Sequence, residues 1–218
     1  GGLPCDGFTA FGNFDDDDFG EIVIVRLGEI FVLEHDGELL WRQPIPRGSC
    51  PYNESGPPTV ADFDGDGRPD FVVTTGDNGE YPSPPKSYHG IRVYLNRGGM
   101  KYEKSLFLPL NGAFRALARD YDADGDTDIA AVAYFPNYNK SPRESFVYFE
   151  NKDGKYTANT FRTCISGRWL TMDAGDVDGD GFSDLVIGAY GNDDFGPGAG
   201  TAYVYSGQSG ALLHELSG

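Results

Sequence analysis

A chain of 218 residues can hold one or two domains with a sizeable core, and its net charge of −17 argues against a nucleic-acid backbone or an anionic membrane as partner. Gly (31) and Pro (14) are plentiful without low-complexity runs, which suits many short strands joined by turns rather than disorder. No apolar run approaches the ~18–20 residues that a membrane span needs, so membrane insertion is not expected.

Taken in order, the chain repeats one unit four times. In the first, a lead-in segment (Phe8–Phe11) enters an acidic loop from Asn13 to Glu21. Strand-like runs follow at Ile22–Val25 and Ile30–Leu33, then a turn at His35-Asp36-Gly37. The second unit has its lead-in at Pro58–Ala61, its loop at Asp62–Asp70, strands at Phe71–Thr74 and Ile91–Leu95, and a turn at Asn96–Gly99. The third runs through Phe114–Ala118, Asp120–Asp128, Ile129–Ala133, Phe146–Phe149 and the turn Asn151–Gly154. The fourth runs through Trp169–Met172, Asp176–Asp184, Leu185–Ala189, Thr201–Tyr205, the turn Ser206–Gly210 and a last strand at Leu212–Leu216. Gly- and Asn-rich turns between β-branched and aromatic runs read as hairpins, and no segment keeps a 3.6-residue period.

The loops begin at Asn13, Asp62, Asp120 and Asp176, at spacings of 49, 58 and 56 residues. A period near 50 marks a solenoid, propeller or array, and four strands in each period make a propeller blade. The fold class expected is all-β: a β-propeller region over 1–218, with four four-stranded antiparallel blades at approximately 7–46, 57–109, 113–161 and 168–216.

Acids stand at positions 1, 3, 5 and 9 of each loop: Asp62, Asp64, Asp66 and Asp70; Asp120, Asp122, Asp124 and Asp128; Asp176, Asp178, Asp180 and Asp184. The first copy is worn, with Asn13, Asp15, Asp17 and Glu21, and with Asp18 where the others carry Gly67, Gly125 and Gly181. Calcium takes six to eight oxygens at about 2.3–2.6 Å, and alternate residues of a tightly curled loop point at one centre. Carboxylates at 1, 3 and 5 would converge, with a carbonyl at 7 and the acid at 9 closing the shell. Left empty, such loops repel themselves. Four Ca2+ would bring the net charge from −17 to about −9. An EF-hand needs Glu at position 12, where this chain has Ile24, Val73, Ala131 and Ile187. A merely solvated acidic turn would not recur four times at this spacing.

The chain resembles the FG-GAP/VCBS repeats found in integrin α-subunit propellers. Asp176–Gly181, Leu185–Tyr190 and Gly200–Gly207 carry that resemblance best, and the second and third units are nearer the VCBS variety. It implies up to four Ca2+, held by the side chains at 1, 3, 5 and 9 and by the carbonyls of Phe19, Arg68, Asp126 and Phe182. Propellers of this family usually close with about seven blades. Three completions of the ring fit four units: further blades (the preferred reading), a closed four-bladed ring, or self-association.

Cys5 and Cys50, at the two ends of the first repeat, are the better pair for a disulfide; three buried thiols, Cys164 included, are the alternative. No secretion signal precedes Gly1, so a mature or trimmed form is expected. Calcium loops place the chain outside the cell, secreted or at the cell surface, because weak structural sites would not fill at cytosolic calcium levels. Asn53 and Asn139 open glycosylation sequons, a weak signal by themselves.

Alternating turns put the loops between second and third strands on the face opposite the acidic loops. Those connections lengthen from 26–29 in the first unit to 76–90, 135–145 and 191–200. They carry Tyr81, Tyr88, His89, Tyr138, Arg143 and Phe195, the residues expected to bind a protein or carbohydrate ligand. Arg47, Tyr52 and Asn53 adjoin them. There is no G-x-S-x-G, H-E-x-x-H or C-x-x-C, so an enzyme is not expected. The functional expectation is a calcium-stabilised extracellular binding or adhesion module. A spacer in a large surface protein and a propeller fragment of a polysaccharide lyase are the alternatives.

Overall fold

Short Val-, Ile- and Phe-rich runs, buried on both faces in the inner strands and broken by Gly- and Asp-rich turns, give sixteen strands in four antiparallel sheets among the described residues. The computed structural model describes residues 7–15, 17–47, 55–76, 85–137, 139–160, 169–189 and 200–217. Cys5, Cys50, Cys164, Tyr52, Asn53, Tyr81, Tyr138 and Phe195 lie outside the described residues.

The first sheet is β1 (Phe8–Gly12), β2 (Glu21–Arg26), β3 (Glu29–Leu33) and β4 (Leu39–Pro44), in sequence order. The second holds β5 (Thr59–Ala61), β6 (Asp70–Thr75), β7 (Gly90–Asn96) and β8 (Tyr102–Pro109). The third holds β9 (Ala113–Arg119), β10 (Asp128–Ala133), β11 (Phe146–Lys152) and β12 (Lys155–Asn159). The fourth holds β13 (Thr171–Gly175), β14 (Asp184–Ala189), β15 (Thr201–Tyr205) and β16 (Leu212–Ser217). Each is a meander, the blade expected. The one helical element among the described residues is a 3-10 turn at Pro142–Ser145.

One lead-in differs from expectation. The strand read at Trp169–Met172 begins at Thr171 instead and runs to Gly175. Trp169 is buried against Tyr203, with ring centroids 5.4 Å apart, so packing rather than the ladder claims it.

The sheets stack in series, face to face. Val23, Val25, Ile30 and Val32 of the first meet Phe71, Val73 and Tyr94 of the second. Val72, Ile91, Val93 and Leu95 then meet Ile129, Ala131 and Phe149. Ala130, Val132 and Phe146 meet Leu185, Ile187, Tyr203 and Tyr205. The rule is constant: odd positions after the acidic loop face the preceding sheet and even positions the following one. By that rule Ile22, Ile24, Phe31 and Leu33 form a separate apolar cluster on the outer face of the first sheet.

Position 2 of each loop seals the joint to the next sheet. Phe14, Phe63 and Tyr121 are buried there, whereas Val177, in the last loop, is 51% exposed. Side chains also bond across sheets. Thr59 Oγ1 donates to the carbonyl of Ala116 (2.6 Å), Thr74 Oγ1 to that of Phe114 (2.7 Å), and Asn96 Nδ2 to that of Phe14 (2.9 Å).

Candidate metal centres

Each acidic loop connects the first two strands of its sheet, beside the tight turn joining the third to the fourth. Asp and Gly shape it locally. In the second loop Asp62 accepts amides from Gly65 (2.7 Å) and Gly67 (2.8 Å) on its two carboxylate oxygens. Asp176 does the same for Gly179 (2.7 Å) and Gly181 (3.1 Å), and Asp120 for Asp124 (3.1 Å) and Gly125 (3.0 Å). Gly67, Gly125 and Gly181 take φ of +85°, +98° and +90°, the bend the sequence required of them.

The position-5 acid fixes position 7. Asp17, Asp66, Asp124 and Asp180 accept the amides of Phe19 (2.6 Å), Arg68 (2.9 Å), Asp126 (3.0 Å) and Phe182 (2.9 Å). The position-9 acid does something the spacing alone did not show: it is buried and ties the loop to the neighbouring turn. Asp70 accepts from Phe63 N (2.8 Å) and Asn96 N (2.7 Å). Asp128 accepts from Tyr121 N (3.0 Å), Asn151 N (2.7 Å) and the Tyr148 hydroxyl (2.8 Å). Asp184 accepts from Val177 N (2.8 Å) and Gly207 N (3.0 Å).

Carboxylate oxygens converge in every unit. Groups within 4.8 Å of one another are Asp15, Asp17 and Glu34; Asp62, Asp64 and Asp66; Asp120, Asp122 and Asp128; and Asp176, Asp178 and Asp184. Glu21, Asp70, Asp124 and Asp180 stand outside these groups, and Glu34 enters one without having been expected from the sequence. In the second loop two arginines partly offset the charge. Arg97 Nη1 lies 2.6 Å from Asp64, and Arg68 pairs with Asp66.

The electrostatics are those of crowded, partly desolvated acids. Burial raises the Asp70 carboxyl from 3.8 to about 6, against the pull of its two amide donors. Burial, followed by neighbouring carboxylates, raises Asp122; burial raises Asp128 and Glu21 over the opposing pull of their hydrogen-bond donors. All-oxygen clusters built of several carboxylates on stiff turns suit a hard divalent cation, and a bound charge of +2 would relieve this crowding. The donor set therefore fits Ca2+.

The opposite loop face is less uniform. His89 is 2% exposed, and its Nδ1 lies 3.0 Å from Asn111 Oδ1, so it forms a wall rather than open surface. Tyr88 is half-buried, with its carbonyl accepting from Thr75 Oγ1 (2.6 Å) and Arg92 Nη2 (2.8 Å). Arg143 is exposed on the 3-10 turn. His89, Lys86, Asn111, Asn137 and Glu144 line a cleft of about 490 Å3 between the second and third sheets. No described helix is long and apolar enough to cross a membrane.

Residues 120–187 match the family model described as an FG-GAP-like repeat. The chain is similar to integrin alpha-PS5 of Drosophila melanogaster, 28% identical over 211 residues that make up 88% of this chain and 20% of that protein. It is likewise similar to integrin alpha-PS3 of the same organism, 26% identical over 202 residues, 82% of this chain and 16% of that one. The chain thus spans about a fifth of the curated relatives it matches. Among solved structures, rhamnogalacturonan lyase YesW aligns with a TM-score of 0.58 and 16% identity, over 97% of this chain and 40% of that one, which is a likeness of fold.

Proposed function

Because residues 120–187 match an FG-GAP-like repeat and the chain is similar to integrin alpha subunits, we propose that it is a calcium-stabilised extracellular module of the adhesion type, built of FG-GAP repeats. The observation that carries this reading is the recurrence, in all four units, of converging carboxylates on a turn held by its own amides. Asp15, Asp17, Asp62, Asp64, Asp66, Asp120, Asp122, Asp128, Asp176, Asp178 and Asp184 would hold the ions. The ion supplies charge neutralisation and cross-linking of the loop; binding only to the folded state, each adds RT ln(1 + [L]/Kd) to stability.

The reading places recognition of a protein or carbohydrate on the opposite face, where Lys86, Ser87 and His89 border one cleft with Asn137, Ser141 and Glu144. Further blades of the same kind would complete the ring. The lyase reading has only likeness of fold behind it.

Thermal melts in Ca2+ and in EDTA, followed by glycan and protein arrays in both, test the proposal. A melting temperature lowered by several degrees in EDTA, with calcium-dependent array binding, is the expected result. An identical melt in excess chelator would refute the calcium assignment. New ultraviolet absorbance from uronate polysaccharides would favour a lyase.

A further inference from the structure

The first loop departs from the other three in a way that redefines its chemistry. In the second, third and fourth sheets the position-9 acid receives a backbone amide from the third-to-fourth-strand turn: Asn96 N at 2.7 Å, Asn151 N at 2.7 Å and Gly207 N at 3.0 Å. The pairing of Ile22 with Leu33 puts Glu34 opposite Glu21 and makes His35 the counterpart of those donors. His35 N, however, donates to Glu34 Oε1 (2.9 Å), and His35 Nδ1 lies 2.6 Å from the same oxygen. Its ring stacks on Phe19 at 4.0 Å, which holds the arrangement in place.

Glu21 is consequently left with half its carboxylate unserved. It is 0% exposed; Oε2 accepts from Phe14 N, and Oε1 is buried without a hydrogen-bond partner. A carboxylate oxygen in that condition costs stability unless a donor or a cation meets it. Beside it stand Asp15, Asp17 and Glu34, their oxygens within 4.8 Å of one another and close enough to act electrostatically on Glu21. Asn13, at the position of a first ligand, is a neutral amide whose Nδ2 donates to the carbonyl of Asp17 at 2.6 Å, so it brings no charge to the loop.

We propose that the first sheet carries a divalent-cation site of a different build, in which Glu34, just after β3, joins Asp15 and Asp17 in the part that the position-1 acid plays in the other loops, with the orphaned oxygen of Glu21 bordering it. The inference rests on the calcium reading of the other loops. It adds that this site is assembled from two separate turns, so that its cation ties the β1–β2 loop to the β3–β4 turn, a task that amides perform in the other sheets.

Native mass spectrometry of the whole chain in calcium counts the ions. The wild type should carry four, Glu34→Gln three, and Asn13→Ala four. Combining Glu34→Gln with Asp178→Ala should leave two, which assigns the lost ions to separate loops. Four ions retained by Glu34→Gln, or one lost from Asn13→Ala, overturns the proposal, as does a wild type with three. Asn13→Ala keeps the test open should Glu34→Gln fold poorly. A wild type with no ions at all would instead bring down the calcium reading of every loop.

Discussion

Asp70 shows how a single buried carboxylate ties an acidic loop to the neighbouring turn. Burial raises its carboxyl from 3.8 to about 6, so in the cation-free protein the folded state keeps a proton that the unfolded chain has lost between about pH 4 and pH 6. Its contribution to stability without metal therefore falls as pH rises through that window. A Ca2+ on Asp62, Asp64 and Asp66 would offset the neighbouring charges that help hold this proton, and would favour the ionised carboxylate instead. The gain in melting temperature from Ca2+ should be large at pH 7 and small at pH 5, measured by paired thermal melts; a gain independent of pH would contradict it. Ala123 gives a second test. It takes φ +60° where the equivalent residues of the second and fourth loops are Gly65 (+73°) and Gly179 (+79°). A side chain in that region costs about 1–2 kcal/mol, offset in part by the greater freedom of glycine when unfolded. Ala123→Gly should stabilise by about 0.5–1 kcal/mol in urea melts.

The joint between sheets is the element that decides stability. Phe71, on β6, is fully buried among Tyr94 (5.2 Å, stacked), Tyr102 (5.1 Å), Phe14 (6.0 Å) and Trp41 (6.1 Å). Phe71→Ala should cost about 3–5 kcal/mol in denaturant melts, through lost transfer energy and the cavity left behind. Close approach matters as much as filling. A Cβ on Gly56 would stand 1.3 Å from the carbonyl oxygen of Phe114 in the next sheet, a backbone atom with no room to retreat. Gly56→Ala should destabilise by about 3 kcal/mol or more, and hydrogen exchange should show β5 and β9 loosening together.

At the scale of the molecule, the four sheets are joined in series, with contacts from β1 to β5, β5 to β9 and β9 to β13. On the outer face of the first sheet Ile24, Phe31 and Leu33 are buried and Ile22 partly so, while Phe11, paired with Ile22, is exposed. In the three joints the equivalent residues meet a preceding sheet.

The sequence by itself determined the meander blades, their number and the acidic loops that join their first two strands. Each depends on local information: a short β-branched or aromatic run, a turn residue with positive φ, acids at alternate positions of a short loop. Tertiary structure alone decided which oxygens remain for a cation. Asp70, Asp128 and Asp184 give oxygens to amides more than twenty residues away, and Glu34 joins Asp15 and Asp17 only because strand pairing delivers it opposite Glu21. The spacing of residues within a loop fixes where its acids point. Hydrogen bonds from the neighbouring turn fix how many of their lone pairs are already taken, and that count belongs to the folded sheet.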